Sequence, residues 1–98
     1  MSESQVLERL WGIIESRKSE MPEGSYTASL FSRGMEEIAK KVGEEGVEVA
    51  VAALAQSDDR VVYEAADLMY HLMVLLSARG LDWKAVEAEL ARRFPSSA

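Results

Sequence analysis

A chain of 98 residues that is 48% hydrophobic is long enough for one compact domain and too apolar for a disordered tail. Its net charge of −6, with no stretch rich in Lys or Arg, excludes bare nucleic acid as a partner, although an acidic chain still binds polyphosphates when divalent cations lie between the two. The lack of cysteine excludes disulfides and thiolate metal sites. The opening MSESQVLERL lacks the regions of a signal peptide, and no apolar run approaches the roughly 20 residues of a bilayer span, so a cytoplasmic protein with no membrane partner is expected.

Helical periodicity runs from end to end, with no alternating strand pattern, repeat, linker or low-complexity segment. Ser2 or Ser4 is placed to cap a first helix in which Val6, Leu7, Leu10, Ile13 and Ile14 recur at three- and four-residue spacing. That helix is predicted to end between residues 18 and 21, ahead of a turn at Met21, Pro22, Glu23 and Gly24. Ser25, Tyr26 and Thr27 lead into a short apolar piece at 28–31, closed by Gly34, which reads as a loop with one or two helical turns. A long helix follows over about 35–56, with Ile38, Val42, Val49 and Ala53 as its core stripe. Gly43 and Gly46 interrupt it at about 1 kcal/mol each relative to Ala, which points either to a close neighbour there or to a cost that the helix simply tolerates. Ser57, Asp58 and Asp59 restart a third long helix that runs to Arg79 and stops at Gly80. Asp82 then caps a last helix from Trp83 to about Phe94, before Pro95. The fold class is all-α: one domain over 1–98, built as a bundle of four or five helices.

The third helix carries two adjacent apolar stripes. One is Val61, Ala65, Leu68, Leu72 and Leu75; the other is Val62, Met69, Met73 and Leu76. Together they cover roughly half the circumference, more than a surface helix needs, and the expected partner for the surplus is a second copy of the chain. Trp11 and Trp83 sit at helical core positions.

Chemistry concentrates in carboxylates. Glu44, Glu45 and Glu48 fall within about 100° on the second long helix, with Glu37 and Lys41 on the same side. On the third, Glu64 and Asp67 share a face with His71. A short connection makes these helices antiparallel, so both acidic patches can converge on one cleft. Like charges held so close repel unless a cation lies between them, and Mg²⁺ takes oxygen ligands presented in this way. Ordinary solvated Glu on a helix face is the competing account of the same pattern.

The run Lys40-Lys41-Val42-Gly43-Glu44-Glu45-Gly46-Val47-Glu48, followed by Glu64-Ala65-Ala66-Asp67-Leu68-Met69-Tyr70-His71, resembles the E-E-x-x-E … E-x-x-D signature of the all-α nucleotide pyrophosphatases. That superfamily includes MazG-type enzymes, dimeric dUTPases and phosphoribosyl-ATP pyrophosphatases. Ser25-Tyr26-Thr27 with Leu30 and Gly34, and Tyr70-His71-Leu72 leading into Val74-Leu75-Leu76, resemble the last of these, over about 7–93. Gly46 stands where another small residue is expected. The resemblance implies a free-standing, Mg²⁺-dependent hydrolase that converts phosphoribosyl-ATP to phosphoribosyl-AMP and pyrophosphate in histidine biosynthesis.

On that resemblance Glu44, Glu45, Glu48, Glu64 and Asp67 are the metal ligands, and Glu45 and Glu48 the candidates for orienting or deprotonating water. Lys40 and Lys41 either contact phosphate or form i,i+4 pairs with Glu44 and Glu45. Ser25, Tyr26 and Thr27 either receive a phosphate at a helix N-terminus or simply cap that helix. His71 is a neighbour of the site that binds substrate or packs. Arg17 and Arg33 are more remote candidates. Two rivals remain at this stage: a dNTP or NTP pyrophosphatase of the same superfamily, and a non-catalytic helical dimerisation module.

Overall fold

The computed structural model describes residues 5–96, and five helices account for most of them: α1 (Val6–Glu20), α2 (Tyr26–Arg33), α3 (Met35–Ala55), α4 (Asp58–Ala78) and α5 (Trp83–Arg93). The expected cap at Ser2 or Ser4 lies outside the described residues. Helix ends fall where local chemistry stops propagation. Met21 closes α1 in the left-handed region at φ 49°, its N–H bonded to the Arg17 carbonyl, because Pro22 disfavours a further helical residue before it. Ser25 Oγ accepts the Ala28 N–H at 3.1 Å and caps α2, which is a full eight-residue helix rather than a loop with a turn or two. Gly34 (φ 95°) alone separates α2 from α3, a bend that a side chain would resist.

Ser57 caps α4 by accepting the Arg60 N–H. At its far end the Leu81 N–H reaches the Leu76 carbonyl and the Gly80 N–H the Ser77 carbonyl, a Schellman closure around Gly80 at φ 75°. Asp82 Oδ1 accepts the Lys84 N–H at 2.9 Å and starts α5.

α3 and α4 make the most extensive contact in the fold, and only Gln56 and Ser57 separate them, so they form an antiparallel hairpin. α1 and α2 pack on one side of α4, and α5 touches its C-terminal half. The core gathers Ile14, Leu30, Ile38, Met73 and Val74, with Trp11, Trp83, Phe31 and Tyr70 packed around it. Two polar ties fix α1 to α4: Ser77 Oγ donates to Glu15 at 2.7 Å, and Lys18 Nζ donates to the Ser77 carbonyl at 2.8 Å. Lys84 pairs with Glu8 at 3.3 Å across α5 and α1.

Two expectations need correcting. On α3 the buried line is Ile38, Glu45 and Ala52, seven apart; of the expected stripe Ile38 is buried, Val42 and Val49 are half-buried and Ala53 is exposed, because a carboxylate occupies the middle of the inward face. Gly43 and Gly46 have no close neighbour, since a Cβ at either would meet nothing within 4 Å. On α4 the buried residues are Glu64, His71, Met73, Val74 and Ser77, while Val62 and Met69 of the second apolar stripe face outward, as a surplus apolar face allows. By length and composition α4 could cross a membrane, yet in this fold it contacts all four other helices and acts as the central post.

Replacing the wholly buried Ile14 with Ala removes packing where α1 meets the core. A loss of about 2–5 kcal/mol is expected, measured as a lower urea midpoint.

Candidate active site

The α3–α4 hairpin sets the geometry of the site. In an antiparallel pair turning at Gln56 and Ser57, Glu48 lies level with Glu64 and Glu45 one turn further from the turn. All three point into the seam: ligand-capable oxygens of Glu45, Glu48 and Glu64 lie within 4.8 Å of one another. Glu45 is 6% exposed and Glu64 4%, while Glu48 opens to solvent.

Two cations answer three negative charges, and neither saturates them. Lys41 Nζ stands 3.5 Å from Glu45 Oε1 and 3.7 Å from Glu44 Oε1; Arg60 Nη2 stands 3.9 Å from Glu64 Oε1. Glu45 Oε2 and Glu64 Oε1 are buried with no hydrogen-bond partner. The Glu64 carboxyl is pushed above its usual range, first by a hydrogen bond shared with Glu48 and then by burial and the charges of Glu48 and Glu45; Arg60 opposes this in part. Lys41 feels burial, which lowers its pKa, but Tyr26, Glu45 and Glu44 outweigh it and raise the net value.

A hard divalent ion fits this donor set. Oxygens on opposite sides of Mg²⁺ stand about 4 Å apart, so three carboxylates within reach of one another need little closure to coordinate it. An ion would also give both unpartnered oxygens the positive charge they lack. The triad leaves out two expected ligands. Glu44 is half-exposed beside Lys41, and Asp67 lies half-buried on α4, one turn along from Glu64. Lys40 is exposed on α3, next to Lys41.

Toward α2 the wall changes character. His71 Nδ1 lies 2.8 Å from the Asp67 carbonyl, which only accepts, so Nδ1 carries the proton and donates it there. Nε2 then accepts from the Tyr26 hydroxyl at 3.0 Å. Thr27 Oγ1 bonds the Tyr70 hydroxyl, and burial pushes the Tyr70 phenol upward, keeping it neutral. Tyr70 and His71 meet edge to face at 4.9 Å, and Tyr26 stands edge-on to His71 at 5.8 Å. Ser25 spends its hydroxyl as the α2 cap. Arg17 lines a separate shallow cavity with Glu20, Glu23 and Ser25, and Arg33 is exposed at the end of α2.

Sequence reasoning passed over Arg60 and Tyr70 as site residues. Arg60 had a signal: it precedes Glu64 by four, as Lys41 precedes Glu45. Tyr70 had only its place beside His71.

The family model described as phosphoribosyl-ATP pyrophosphohydrolase matches residues 7–94. Curated relatives include the phosphoribosyl-ATP pyrophosphatase of Metallosphaera sedula, 57% identical over 92% of this chain and 97% of its own. The phosphoribosyl-ATP pyrophosphatase of Ignicoccus hospitalis is 53% identical over 92% of this chain and 88% of its own. That of Trichlorobacter lovleyi is 48% identical over 98% of this chain and 89% of its own. With a match across nearly all its helices, including both acidic segments, the chain belongs to the phosphoribosyl-ATP pyrophosphohydrolase family.

Proposed function

We propose that residues 1–98 form one cytoplasmic hydrolase domain that cleaves phosphoribosyl-ATP to phosphoribosyl-AMP and pyrophosphate, the second step of histidine biosynthesis, with Mg²⁺ as its ion. The observation that carries the reading is the convergence of Glu45, Glu48 and Glu64, two of which hold a buried oxygen without a hydrogen-bond partner, in a chain of this family. Glu45, Glu48 and Glu64 hold the ion, with Glu44 and Asp67 adding oxygens at either side. When bound, Mg²⁺ supplies charge neutralisation and Lewis acidity at the phosphates.

The chain's own groups do the rest. Water adds its oxygen to one phosphorus of the α–β bridge, the bridging oxygen leaves with the other, and the two protons pass to the products and solvent. Glu48, the open member of the triad, orients that water and takes its proton; Glu45, buried and paired with Lys41, stands beside it. Lys41 and Lys40 meet phosphate oxygens. Tyr26, fixed through His71, and Thr27, fixed through Tyr70, border the nucleoside, with Ser25 behind them.

A second copy of the chain completes the fold in this reading. Val62 is 69% exposed and Leu54 89%, and an all-apolar groove runs along Leu7, Met69, Leu72, Leu76, Trp83 and Val86. The radius of gyration is 14.9 Å, against about 13 Å for a compact domain of this length. Two such surfaces laid together form a homodimer around α4.

Substituting Glu48→Gln is expected to lower turnover of phosphoribosyl-ATP by at least about a hundredfold, followed as pyrophosphate release with Mg²⁺ present. Activity within a few-fold of the parent would remove Glu48 from the chemistry, and a parent inactive on this substrate but active on dNTPs would overturn the substrate. Glu64→Gln, by contrast, is expected to stabilise the Mg²⁺-free protein while abolishing activity. The gain is full above the raised pKa of Glu64, where the parent carries the extra charge, and fades as pH falls through it; urea midpoints across pH read the trend. Light scattering is expected to give twice the chain mass for the parent and a shift toward single chains for Met69→Lys with Leu72→Lys.

A further inference from the structure

The seam between α3 and α4 does not end at the acidic triad. A cavity of about 320 Å³ continues toward the α3–α4 turn, lined by Glu48, Val51, Gln56, Arg60 and Glu64. Its one lining cation, Arg60, is held in place without being used up. The guanidinium carbon stands 4.5 Å above the Tyr63 ring, a cation–π contact that restrains the side chain. Its Nη2 stays 3.9 Å from Glu64 Oε1, beyond hydrogen-bond reach, and that buried oxygen has no partner of its own. A plain i,i+4 ion pair would close this gap. Here both groups stay unsaturated beside one cavity.

Arg60 and Lys41 are arranged as opposites. Each precedes its carboxylate by four residues, and the helices run in opposite directions. The backbones of the two cationic residues are therefore set toward opposite ends of the triad, each about 6 Å along its own axis from its carboxylate. The ends differ in chemistry. Near Lys41 stands Tyr26, 48% exposed, in a wall of rings and hydroxyls with Thr27, Tyr70 and His71. At the other end stand the Gln56 amide and a planar guanidinium; the Tyr63 ring lies beneath that guanidinium and is not part of the cavity lining. Rings and hydroxyls suit a nucleoside; a permanently charged fork suits phosphate oxygens.

We propose that the Arg60 cavity receives the departing pyrophosphate, so that the nucleotide lies with its terminal phosphates toward the α3–α4 turn and its nucleoside toward α2. This polarity rests on the phosphoribosyl-ATP reading given above and adds direction to it. Arg60 is a binding residue for the leaving group in this arrangement, distinct from the residues that hold the ion.

Calorimetric titration of the parent, Arg60→Gln and Arg60→Lys with magnesium pyrophosphate, and separately with AMP in the same buffer, tests it. The Kd for pyrophosphate is expected to rise about tenfold or more in Arg60→Gln and to recover in part in Arg60→Lys, while the Kd for AMP moves by less than about twofold. A merely structural Arg60 would weaken both ligands together, and that result overturns the proposal. Unchanged pyrophosphate binding in Arg60→Gln, or no pyrophosphate binding to the parent, overturns it as well. Turnover of phosphoribosyl-ATP by the parent is read in parallel. Activity with Arg60-independent pyrophosphate binding rejects the subsite alone; Arg60-dependent binding without activity rejects the substrate and leaves the subsite standing.

Discussion

Crowding of like charge inside a helix–helix seam governs this molecule. α3 and α4 make the most extensive helix–helix contact of the fold, and Glu45 and Glu64 lie within it, both nearly excluded from water. A hydrophobic pair there would make the hairpin more stable, because a buried carboxylate loses hydration that only a partner can replace. The partners available within the chain are inadequate: Lys41 divides itself between Glu44 and Glu45, and Arg60 stands off from Glu64. Within the isolated chain the Glu64 carboxyl is accordingly pushed above its usual range by its neighbour Glu48 and by burial. Helical secondary structure is nevertheless secure, since the five helices are stopped and started by local devices that owe nothing to the seam. The strain is thus confined to side chains whose oxygens a divalent ion would satisfy, which is where a binding site stores the means to capture one.

Helix boundaries were legible because they depend on neighbours in sequence. Ser57 and Asp82 lie just before α4 and α5 and accept the N–H groups that a cap accepts; Gly80 and Met21-Pro22 stop helices for reasons visible in three or four residues. The inward face of α3 was not legible in the same way. An apolar stripe drawn through Val42, Val49 and Ala53 leaves out Glu45, because hydropathy assigns a carboxylate to solvent. The true inward line, Ile38, Glu45 and Ala52, makes sense only once α4 supplies Glu64 opposite. The same blindness affects α4. Its two apolar stripes look equally suited to the core, and the face that is buried includes a polar one, Glu64 and His71.

The acidic motifs as a pair could be read; their division of labour could not. Spacing places Glu44, Glu45 and Glu48 on one side of a helix, but only the azimuth of packing separates Glu45, tucked into the seam, from Glu44, turned outward to Lys41. Asp67 sits one turn along from Glu64, and its backbone carbonyl is engaged with His71 rather than with the triad. Arg60 escaped attention because a lone Arg near a helix start reads as a surface charge. Its significance comes from Tyr63 beneath it and the cavity beside it, neither of which spacing reveals.

The α2 segment shows how a short helix can serve a site built by two long ones. Tyr26 and Thr27 open α2, and their hydroxyls reach across to His71 and Tyr70 on α4. Because the Asp67 carbonyl fixes the His71 tautomer, the Tyr26 proton is directed to Nε2. α2 itself is anchored by Ala28 and Leu30 in the core and by its bend at Gly34 into α3. Gly34 alone joins that wall to α3, the helix that carries Glu45 and Glu48, so one short stretch of chain places the ring-and-hydroxyl wall beside the acidic triad.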